Sequence, residues 1–385
     1  NKIENWSFEF GFFGLEESLQ PIDTHSIPLT AKSGARKFNI QLGRKSVDGI
    51  SDLSLLSGPL NYLLLGDPGS GKTTTIKRLA RSLLHPSAYK VDPELLSITF
   101  PILVICRKAK CDTLFLEIAH ELGITTEHRT VTKHTKDGDI KIIEHFVGRE
   151  SLDNFLIDLL NSMSVCLLVD GLDEISDEMQ ENFIKNIEWI GSNANGCKVI
   201  ASSRPGDVVR TPDQFRIFEL NPITKNDIEK ISRLWAKKPV EFLKEVRQKS
   251  YVDVIDRPLF LMQIITIFNI AGQLPERSFF VQERIVNLML ALWDDRRGVE
   301  RSTKYTHFMP EEKKRFLSDL AYFLLYDRDV LKAFSTENLI DFYQKFRNKY
   351  NLPLSEALMV AKEIESHTGI VVSSTDKHFE FAHLS

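Results

Sequence analysis

The sequence predicts an α/β fold, a mostly parallel sheet with helices on both faces, followed by a helical domain and a winged-helix domain. Short apolar runs alternate with amphipathic stretches between residues 62 and 220, which is typical of a parallel sheet covered by helices. After Asn221 the periodic stretches are nearly all helical. The chain then ends in two short β-like runs, 369–373 and 378–382, and helices followed by a terminal hairpin indicate a winged helix.

Each predicted element rests on its local pattern. The strand candidates are buried apolar runs at 62–65, 98–106, 165–169, 198–202 and 215–220. The helix candidates carry apolar residues at helical spacing, at 73–84, 113–122, 151–161, 179–190, 226–236, 240–249, 259–271, 281–294, 310–326, 337–350 and 354–366. Residues 1–60 predict irregular structure, and the polar stretch 123–149 predicts a loop or a weak hairpin insertion.

The segment GDPGSGKT, residues 66–73, has the spacing of a phosphate-binding loop between a strand and a helix. Its glycines, Gly66, Gly69 and Gly71, let backbone N–H groups approach phosphate closely. Lys72 is expected to reach the β- and γ-phosphates, and Thr73 to bind Mg²⁺. The remaining residues expected to contact the nucleotide are Asp67, Pro68, Ser70 and Thr74. A chance match in a Gly-rich turn is the alternative, which the flanking strand and helix disfavour.

An apolar strand ends in an acidic cluster at LLVDGLDE, residues 167–174. Asp170 stands where phosphate-loop proteins place the carboxylate that holds magnesium. Asp173 or Glu174 could orient or deprotonate the attacking water, and the sequence leaves open which of them does so. Alternatively, these acids would be helix-starting residues in an exposed turn.

A later strand, KVIASSRP at 198–205, ends in a polar turn that contains Arg204. In a parallel sheet the carboxyl end of this strand opens on the same edge as the phosphate loop. Arg204 is therefore expected to contact the γ-phosphate, and an exposed arginine without such a role is the alternative.

Together these elements resemble the NACHT family within the STAND class of signalling NTPases, the specific mark being Asp170-Gly171-Leu172-Asp173-Glu174. RPLFLMQII at 257–265 is similar to the family's helical-domain motif, which implies that Pro258 packs by the adenine. FEFAHLS at 379–385 is similar to the start of its winged-helix segment, which implies that His383 touches the β-phosphate of ADP. Taken without the resemblance, Pro258 would be a helix-starting proline and His383 a polar residue on a strand.

The resemblance divides the chain into an N-terminal linker segment (1–45), a P-loop NACHT nucleotide-binding domain (46–221), a helical domain (222–298) and a winged-helix domain (299–385). It implies a slow ATPase that binds ATP or ADP with Mg²⁺, is closed with ADP, and forms a homo-oligomer on nucleotide exchange. A role in innate immunity or antiphage defence, with a trigger that the sequence does not identify, is implied in the same way. The chain does not begin with Met and stops at Ser385, so we expect a fragment.

The amino-acid composition disfavours several functional classes of protein. Lys and Arg number 49 against 53 Asp and Glu, and a net charge of −4 argues against bulk attraction to nucleic acid or to an anionic membrane. Four scattered cysteines without CxxC spacing, and no segment typical of a signal peptide or a membrane span, indicate a cytoplasmic protein. One alternative is an ATP-driven ring-forming remodeller with Arg210 or Arg233 as an arginine finger. Another is a DNA-binding regulator that uses the winged helix and the basic stretch 313–315.

Overall fold

The computed structural model describes residues 2–10, 20–33, 49–58, 60–67, 69–89, 100–135, 138–205, 210–251, 255–292, 310–327, 333–361, 371–375 and 378–381. The chain divides into two compact units. The first unit comprises Asn1–Phe8, Pro28–Asp67 and Gly71–Asn221. The second unit comprises Glu9–Ile27, Pro68–Ser70 and Pro222–Ser385.

The strands are numbered in chain order. They are β1 Glu9–Phe10, β2 Gln20–Pro21, β3 Thr30–Ser33, β4 Ile50–Ser51, β5 Asn61–Leu65, β6 Phe100–Ile105, β7 Glu127–Thr135, β8 Gly138–Val147, β9 Glu150–Ser151, β10 Val165–Asp170, β11 Cys197–Ser203, β12 Phe215–Leu220, β13 Ala333–Ser335, β14 Val371–Thr375 and β15 His378–Phe381.

The α-helices are numbered in the same way. They are α1 Lys2–Phe8, α2 Ile22–His25, α3 Lys72–Leu84, α4 Pro86–Tyr89, α5 Leu114–Leu122, α6 Leu152–Ser162, α7 Asp177–Asn193, α8 Lys225–Trp235, α9 Pro239–Val246, α10 Pro258–Ala271, α11 Ser278–Leu292, α12 Pro310–Tyr322 and α13 Thr336–Phe346.

The first unit is built on a sheet with the strand order β4-β3-β12-β5-β11-β10-β6. The strands β12, β5, β11, β10 and β6 pair in parallel, which confirms the mostly parallel sheet. β3 and β4 extend one edge in antiparallel fashion. The parallel strands β5 and β10 are buried along their whole length, as expected of a sheet that is covered on both faces.

Helices cover both faces of this sheet. On one face, alternate residues such as Leu63, Val104 and Leu167 join a single core cluster with residues of α5, α6 and α7. The phosphate-loop helix α3 contacts β6, β10 and β11 with residues outside that cluster, which places it on the other face. The alternation of side chains along each strand thus separates two apolar layers.

Residues 127–147 form an antiparallel hairpin of β7 and β8, to which β9 adds a short third strand. The sequence left a loop or a hairpin open for this insertion between α5 and α6. The hairpin is correct, and the loop alternative is wrong. Threonine and valine in β7 and three isoleucines in β8 favour extended backbone despite the many charges.

The expectation of irregular structure throughout residues 1–60 is wrong. α1 packs on α3, where Glu4 Oε1 lies 2.5 Å from Arg81 Nη1 and 2.8 Å from His85 Nε2. Strand β3 joins the main sheet beside β12. These elements are short and gain their stability from tertiary contacts, so their periodicity in the sequence is weak.

The second unit is mostly helical. The helix α10 begins with Pro258 at its first position, and residues 260–268 are buried. It packs against α8 and α11. The helix α8 begins with a capping box in which Thr224 and Asp227 satisfy each other's backbone N–H groups. Burial on all sides explains why α10 carries almost no polar residues.

Further along the second unit, Phe316 of α12 packs edge-on against Phe342 of α13, with ring centroids 5.0 Å apart. A three-stranded antiparallel sheet of order β13-β15-β14 follows. The terminal hairpin is therefore present, and β13 is a strand that the sequence did not predict. Helices with a small sheet are what a winged helix requires, and that assignment stays a prediction, as do the four domain ranges.

None of the helices in the described ranges combines the length and the apolar character that crossing a bilayer requires.

A buried ion pair ties α3 to the turn Asp52–Leu56. Arg78 Nε donates to Asp52 Oδ2 at 2.7 Å, and the side chains are 6% and 0% exposed. We predict that Asp52→Ala lowers the free energy of unfolding by about 3–5 kcal/mol, because it leaves a buried guanidinium without its carboxylate. Urea denaturation followed by circular dichroism measures this loss.

Lys2→Ala is the matched control, because it breaks an ion pair to Glu121 whose lysine is 72% exposed. We expect it to cost about 1 kcal/mol or less. Equal urea midpoints for the two variants would show that the buried Arg78–Asp52 pair contributes no more to the free energy of unfolding than the exposed pair does.

Candidate functional site

Strand register brings four chain segments to one edge of the sheet. Asp170 of β10 is paired with Ile105 of β6, and Val169 is paired with Ala201 of β11. Ser203 of β11 is paired with Leu65 of β5. Parallel strands all end at the same edge of a sheet. This edge therefore carries the four segments that follow the strands: the phosphate loop, the acidic cluster, Arg204 and the turn after β6.

Lys72 folds back over the start of the phosphate loop. Its Nζ donates to the carbonyl oxygen of Gly66 at 2.6 Å and lies 3.4 Å from that of Asp67. The Gly66 N–H in turn donates to the Ser203 carbonyl at 3.2 Å, which ties the loop to β11. Burial lowers the pKa of Lys72, and Asp173, among nearby carboxylates, raises it. A cation in this position suits phosphate binding.

The tip of the loop, Pro68–Ser70, belongs to the second unit, where it meets the start of α10. The Leu259 N–H donates to the Gly69 carbonyl at 3.2 Å. Gly69 has φ +75°, and a Cβ atom there would lie 2.8 Å from the Leu259 Cβ. Only glycine suits both the left-handed backbone and this approach. Pro258, expected by the adenine, thus directly precedes a residue that touches the loop, while Pro68 itself lies outside the described residues.

Ser70 supplies a direct sign that the loop fits a ligand. Its hydroxyl is buried and has no hydrogen-bond partner among the described residues. A buried polar group is normally paired, so a phosphate oxygen would satisfy it. Thr73 and Thr74, at the start of α3, are exposed and half-buried respectively.

Asp170 is held by hydroxyl groups. Its Oδ1 accepts from Ser202 Oγ at 2.7 Å, and the Gly171 N–H donates to the same Ser202 oxygen at 2.9 Å. Burial raises the pKa of Asp170, whereas hydrogen bonds from Ser202 and Thr73 lower it. The Thr73 hydroxyl and the Asp170 carboxylate thus lie together, and oxygen donors of this kind fit Mg²⁺.

Ser202 was missed by sequence reasoning. Ser202 and Ser203 end the strand β11 directly after the apolar run Val199–Ala201, and both are fully buried. A buried hydroxyl in a central strand requires a partner, and this signal could have identified the residue.

Asp173 and Glu174 have different surroundings. Asp173 Oδ2 lies 2.9 Å from Arg204 Nε, and its Oδ1 accepts from the Arg204 backbone N–H at 3.0 Å. The side chain of Asp173 is 4% exposed, so this pair is largely desolvated. Arg204 is therefore positioned by Asp173 from both its backbone and its side chain.

Glu174 is exposed as a whole residue, but burial of its carboxyl group raises the pKa of that group to about 7. Asp170 and Asp173 raise this pKa further, while Arg107 and Arg204 oppose them. Gly171, at φ +83°, allows the approach of Glu174, since a Cβ atom there would lie 2.8 Å from Glu174 Oε2. A carboxyl group that titrates near neutral pH is suited to proton transfer.

The predicted nucleotide contacts of His383 and Pro258 stay untested. His383 lies outside the described residues, so its expected role stays a prediction. Pro258 occupies the first position of α10, as its local reading as a helix-starting proline predicted. Its contact with adenine stays a prediction as well.

Comparisons with known proteins bear on this site. The sequence model of the NACHT domain matches residues 61–239, a range that contains the phosphate loop, the acidic cluster and Arg204. Among curated proteins, none matches the chain.

Several solved structures match the chain at low identity. Cdc6p from Pyrobaculum aerophilum is 13% identical, with 97% of this chain and 95% of that chain covered and a TM-score of 0.38. A STAND protein with a tetratricopeptide repeat sensor from Pyrococcus horikoshii is 13% identical, with 86% and 40% covered and a TM-score of 0.36. The RuvB Holliday junction branch migration motor from Thermotoga maritima is 11% identical, with 88% and 89% covered and a TM-score of 0.33.

We predict that Ser202→Ala lowers the free energy of unfolding by about 1–3 kcal/mol, because it leaves the Gly171 N–H without its acceptor. Ser203→Ala is the matched control, since that buried hydroxyl makes only a 3.5 Å contact with the Arg204 carbonyl. Chemical denaturation of both variants measures the difference. Equal losses would mean that the Ser202 bridge does not stabilise the strand end.

Proposed function

We propose that this chain, which carries a NACHT domain over residues 61–239, is an ATP- and ADP-binding signalling switch with slow ATP hydrolysis. The observation that carries the proposal is the meeting of the phosphate loop and the acidic strand end at one edge of the sheet, where the buried Asp170 carboxylate accepts from Ser202 at 2.7 Å and lies near Thr73 of the phosphate-loop helix. In this proposal Lys72 binds the phosphates, and the loop residues Gly66–Thr74 surround them.

The surroundings of the two acids support a division of labour. Asp173 is bound to Arg204, and we assign it the role of positioning that arginine toward the γ-phosphate. Glu174, with a pKa of about 7, is assigned the role of base. In the hydrolytic step Glu174 takes a proton from water, the water oxygen bonds to the γ-phosphorus, and the bond to the β-phosphate oxygen breaks, with its electron pair leaving on ADP.

Magnesium would be held by Thr73 and Asp170, and when bound it would neutralise charge on the β- and γ-phosphates. Burial raises the pKa of Asp170, while the hydrogen bond from Ser202 at 2.7 Å and the nearby Thr73 oppose this rise, and Ser202 orients the carboxylate. The Asp170 carboxylate is therefore already oriented by Ser202 in the protein without the ion.

The switch itself requires a ligand that discriminates between two states, and the γ-phosphate is the difference between ATP and ADP. By resemblance, ADP holds the closed state through Pro258 and His383, and exchange for ATP leads to a homo-oligomer. Hydrolysis then resets the switch. We propose a cytoplasmic location and a role in innate immune or antiphage defence on the same basis.

Ion pairs count against a remodelling machine with an arginine finger from this chain. Arg210 is bound by Glu188 and by Glu181, the latter at 3.1 Å from Arg210 Nε. Arg233 lies 3.9 Å from Glu229. A finger must reach the nucleotide of a neighbouring subunit, and these contacts would first have to break.

The basic stretch 313–315 gives little support to a DNA-binding role. Lys313 is 3% exposed, and Lys314 lies 3.5 Å from Glu283. A DNA-binding surface needs exposed cations that displace counterions from phosphates. Of the three, Arg315 is left as an exposed cation on the helix α12.

The first test is nucleotide retention. We predict that purified protein releases ADP or ATP on denaturation and that Lys72→Ala protein does not, because the variant lacks the cation of the phosphate loop. Anion-exchange chromatography of the released nucleotide measures this. Lys77→Ala is the control, since Lys77 lies on the same helix with its Nζ 4.9 Å from the Trp6 ring centroid.

Absence of nucleotide from the wild-type protein, together with no binding by calorimetric titration, would refute the switch. The mass in solution separates it from the remodeller. A stable ring formed without a trigger, with rapid turnover, would favour the remodeller.

The second test concerns the base. With a pKa of about 7, Glu174 is increasingly ionised as pH rises, so kcat for ATP hydrolysis is expected to rise from pH 6 to pH 8. We predict that Glu174→Gln lowers kcat by about 10²–10⁴-fold and removes this rise. Phosphate release across that pH range measures both effects.

Asp173→Asn is the matched comparison. It weakens the hold on Arg204, so we expect lower affinity for ATP relative to ADP with the rise in kcat retained. Loss of the rise in Asp173→Asn protein and its retention in Glu174→Gln protein would reverse the assignment.

A further inference from the structure

Arg107 lies at the acidic edge of the sheet, although no motif in the sequence pointed to it. It is exposed and sits in the turn Cys106–Lys108, directly after the edge strand β6. The pairing of Ile105 with Asp170 brings this turn level with the acidic cluster. The turn contacts the turn Leu172–Glu174, so Arg107 and Glu174 lie on adjoining segments.

The charges of the cluster act on this turn. The thiol of Cys106, next to Arg107, has its pKa raised by burial and then by Asp170, Glu174 and Asp173. The turn after β6 therefore lies near these three carboxylates, in keeping with its contact with the turn Leu172–Glu174 and the pairing of Ile105 with Asp170. A cation placed there meets their combined field, and its charge lowers their mutual repulsion.

Arg107 is a cation of the described residues whose charge lowers the pKa of Glu174. It lowers the pKa of Glu174 more than Arg204 does, and it acts on Asp170 more strongly than Lys72 does. Arg204 is held by Asp173 on the other side of the cluster. The turn after β6 thus places a positive charge beside the segment that carries Glu174.

We propose that Arg107 is a positioning residue that supports Glu174 through its charge during ATP hydrolysis. This inference rests on the proposed function, in which Glu174 is the base. Arg107 acts through Glu174 and is not assigned a contact with the nucleotide. Its exposed side chain contributes little to packing, whereas neighbouring Cys106 is 1% exposed and fills the core.

The experiment compares Arg107→Ala, Arg107→Lys, Glu174→Gln and the double variant Arg107→Ala/Glu174→Gln in the full chain. We expect Arg107→Ala to lower kcat on the order of tenfold, the effect of losing one nearby charge, with dissociation constants for ATP and ADP within about twofold of wild type. Arg107→Lys should restore most of the activity. The double variant should be no slower than Glu174→Gln, because Arg107 acts only through Glu174.

Lys108→Ala is the matched control, as Lys108 is an exposed cation in the same turn. We expect it to keep wild-type turnover. Melting curves of all variants show whether each is folded, and Arg107→Lys supplies the readout if the alanine variant unfolds.

Several results would overturn the inference. A selective loss of ATP affinity in Arg107→Ala protein would show direct phosphate contact, and a further loss in the double variant would show action independent of Glu174. If the wild-type protein hydrolyses ATP and Arg107→Ala protein does so at the same rate, the role proposed for Arg107 is wrong, while the proposed function stands. Nucleotide binding without any wild-type turnover would overturn the hydrolytic part of the proposed function along with it.

Discussion

The parallel pairing of four strands is the constraint on which the rest of the site depends. Because β5, β11, β10 and β6 run in one direction and end within a few residues of each other, their following turns meet at one edge. Each turn brings a different chemical group: amides and a lysine, an arginine, carboxylates, and a second arginine. No single segment of the chain could assemble this set, since each turn is short.

Several charged groups at this edge have fixed charged or polar partners. Asp173 holds Arg204, Ser202 and Thr73 hold Asp170, and Lys72 rests on loop carbonyls. Glu174 is left with a raised pKa, because the protein around it disfavours its charge and its acidic neighbours add to this. A carboxyl group whose pKa lies near neutrality, close to other carboxylates and to cations, is suited to proton transfer.

Sequence reasoning predicted the central strands and helices well because their apolar runs are long and the flanking turns distinctive. It failed at α1, β3 and β13, which are short and become regular only through tertiary pairing. It also missed Ser202 and Arg107. Neither belongs to a motif, and each matters because strand register brings it beside Asp170 or Glu174.

From the sequence alone a phosphate-binding loop could be predicted, because GDPGSGKT carries its chemistry in consecutive residues, as does the acidic cluster after β10. It could not decide between Asp173 and Glu174, since the two acids are adjacent and chemically alike. The tertiary structure gives them different surroundings, because Arg204 arrives from another strand and binds Asp173. A motif of consecutive residues can be recognised from the sequence, whereas the pKa values of its side chains and their hydrogen-bond partners depend on groups that only folding brings together.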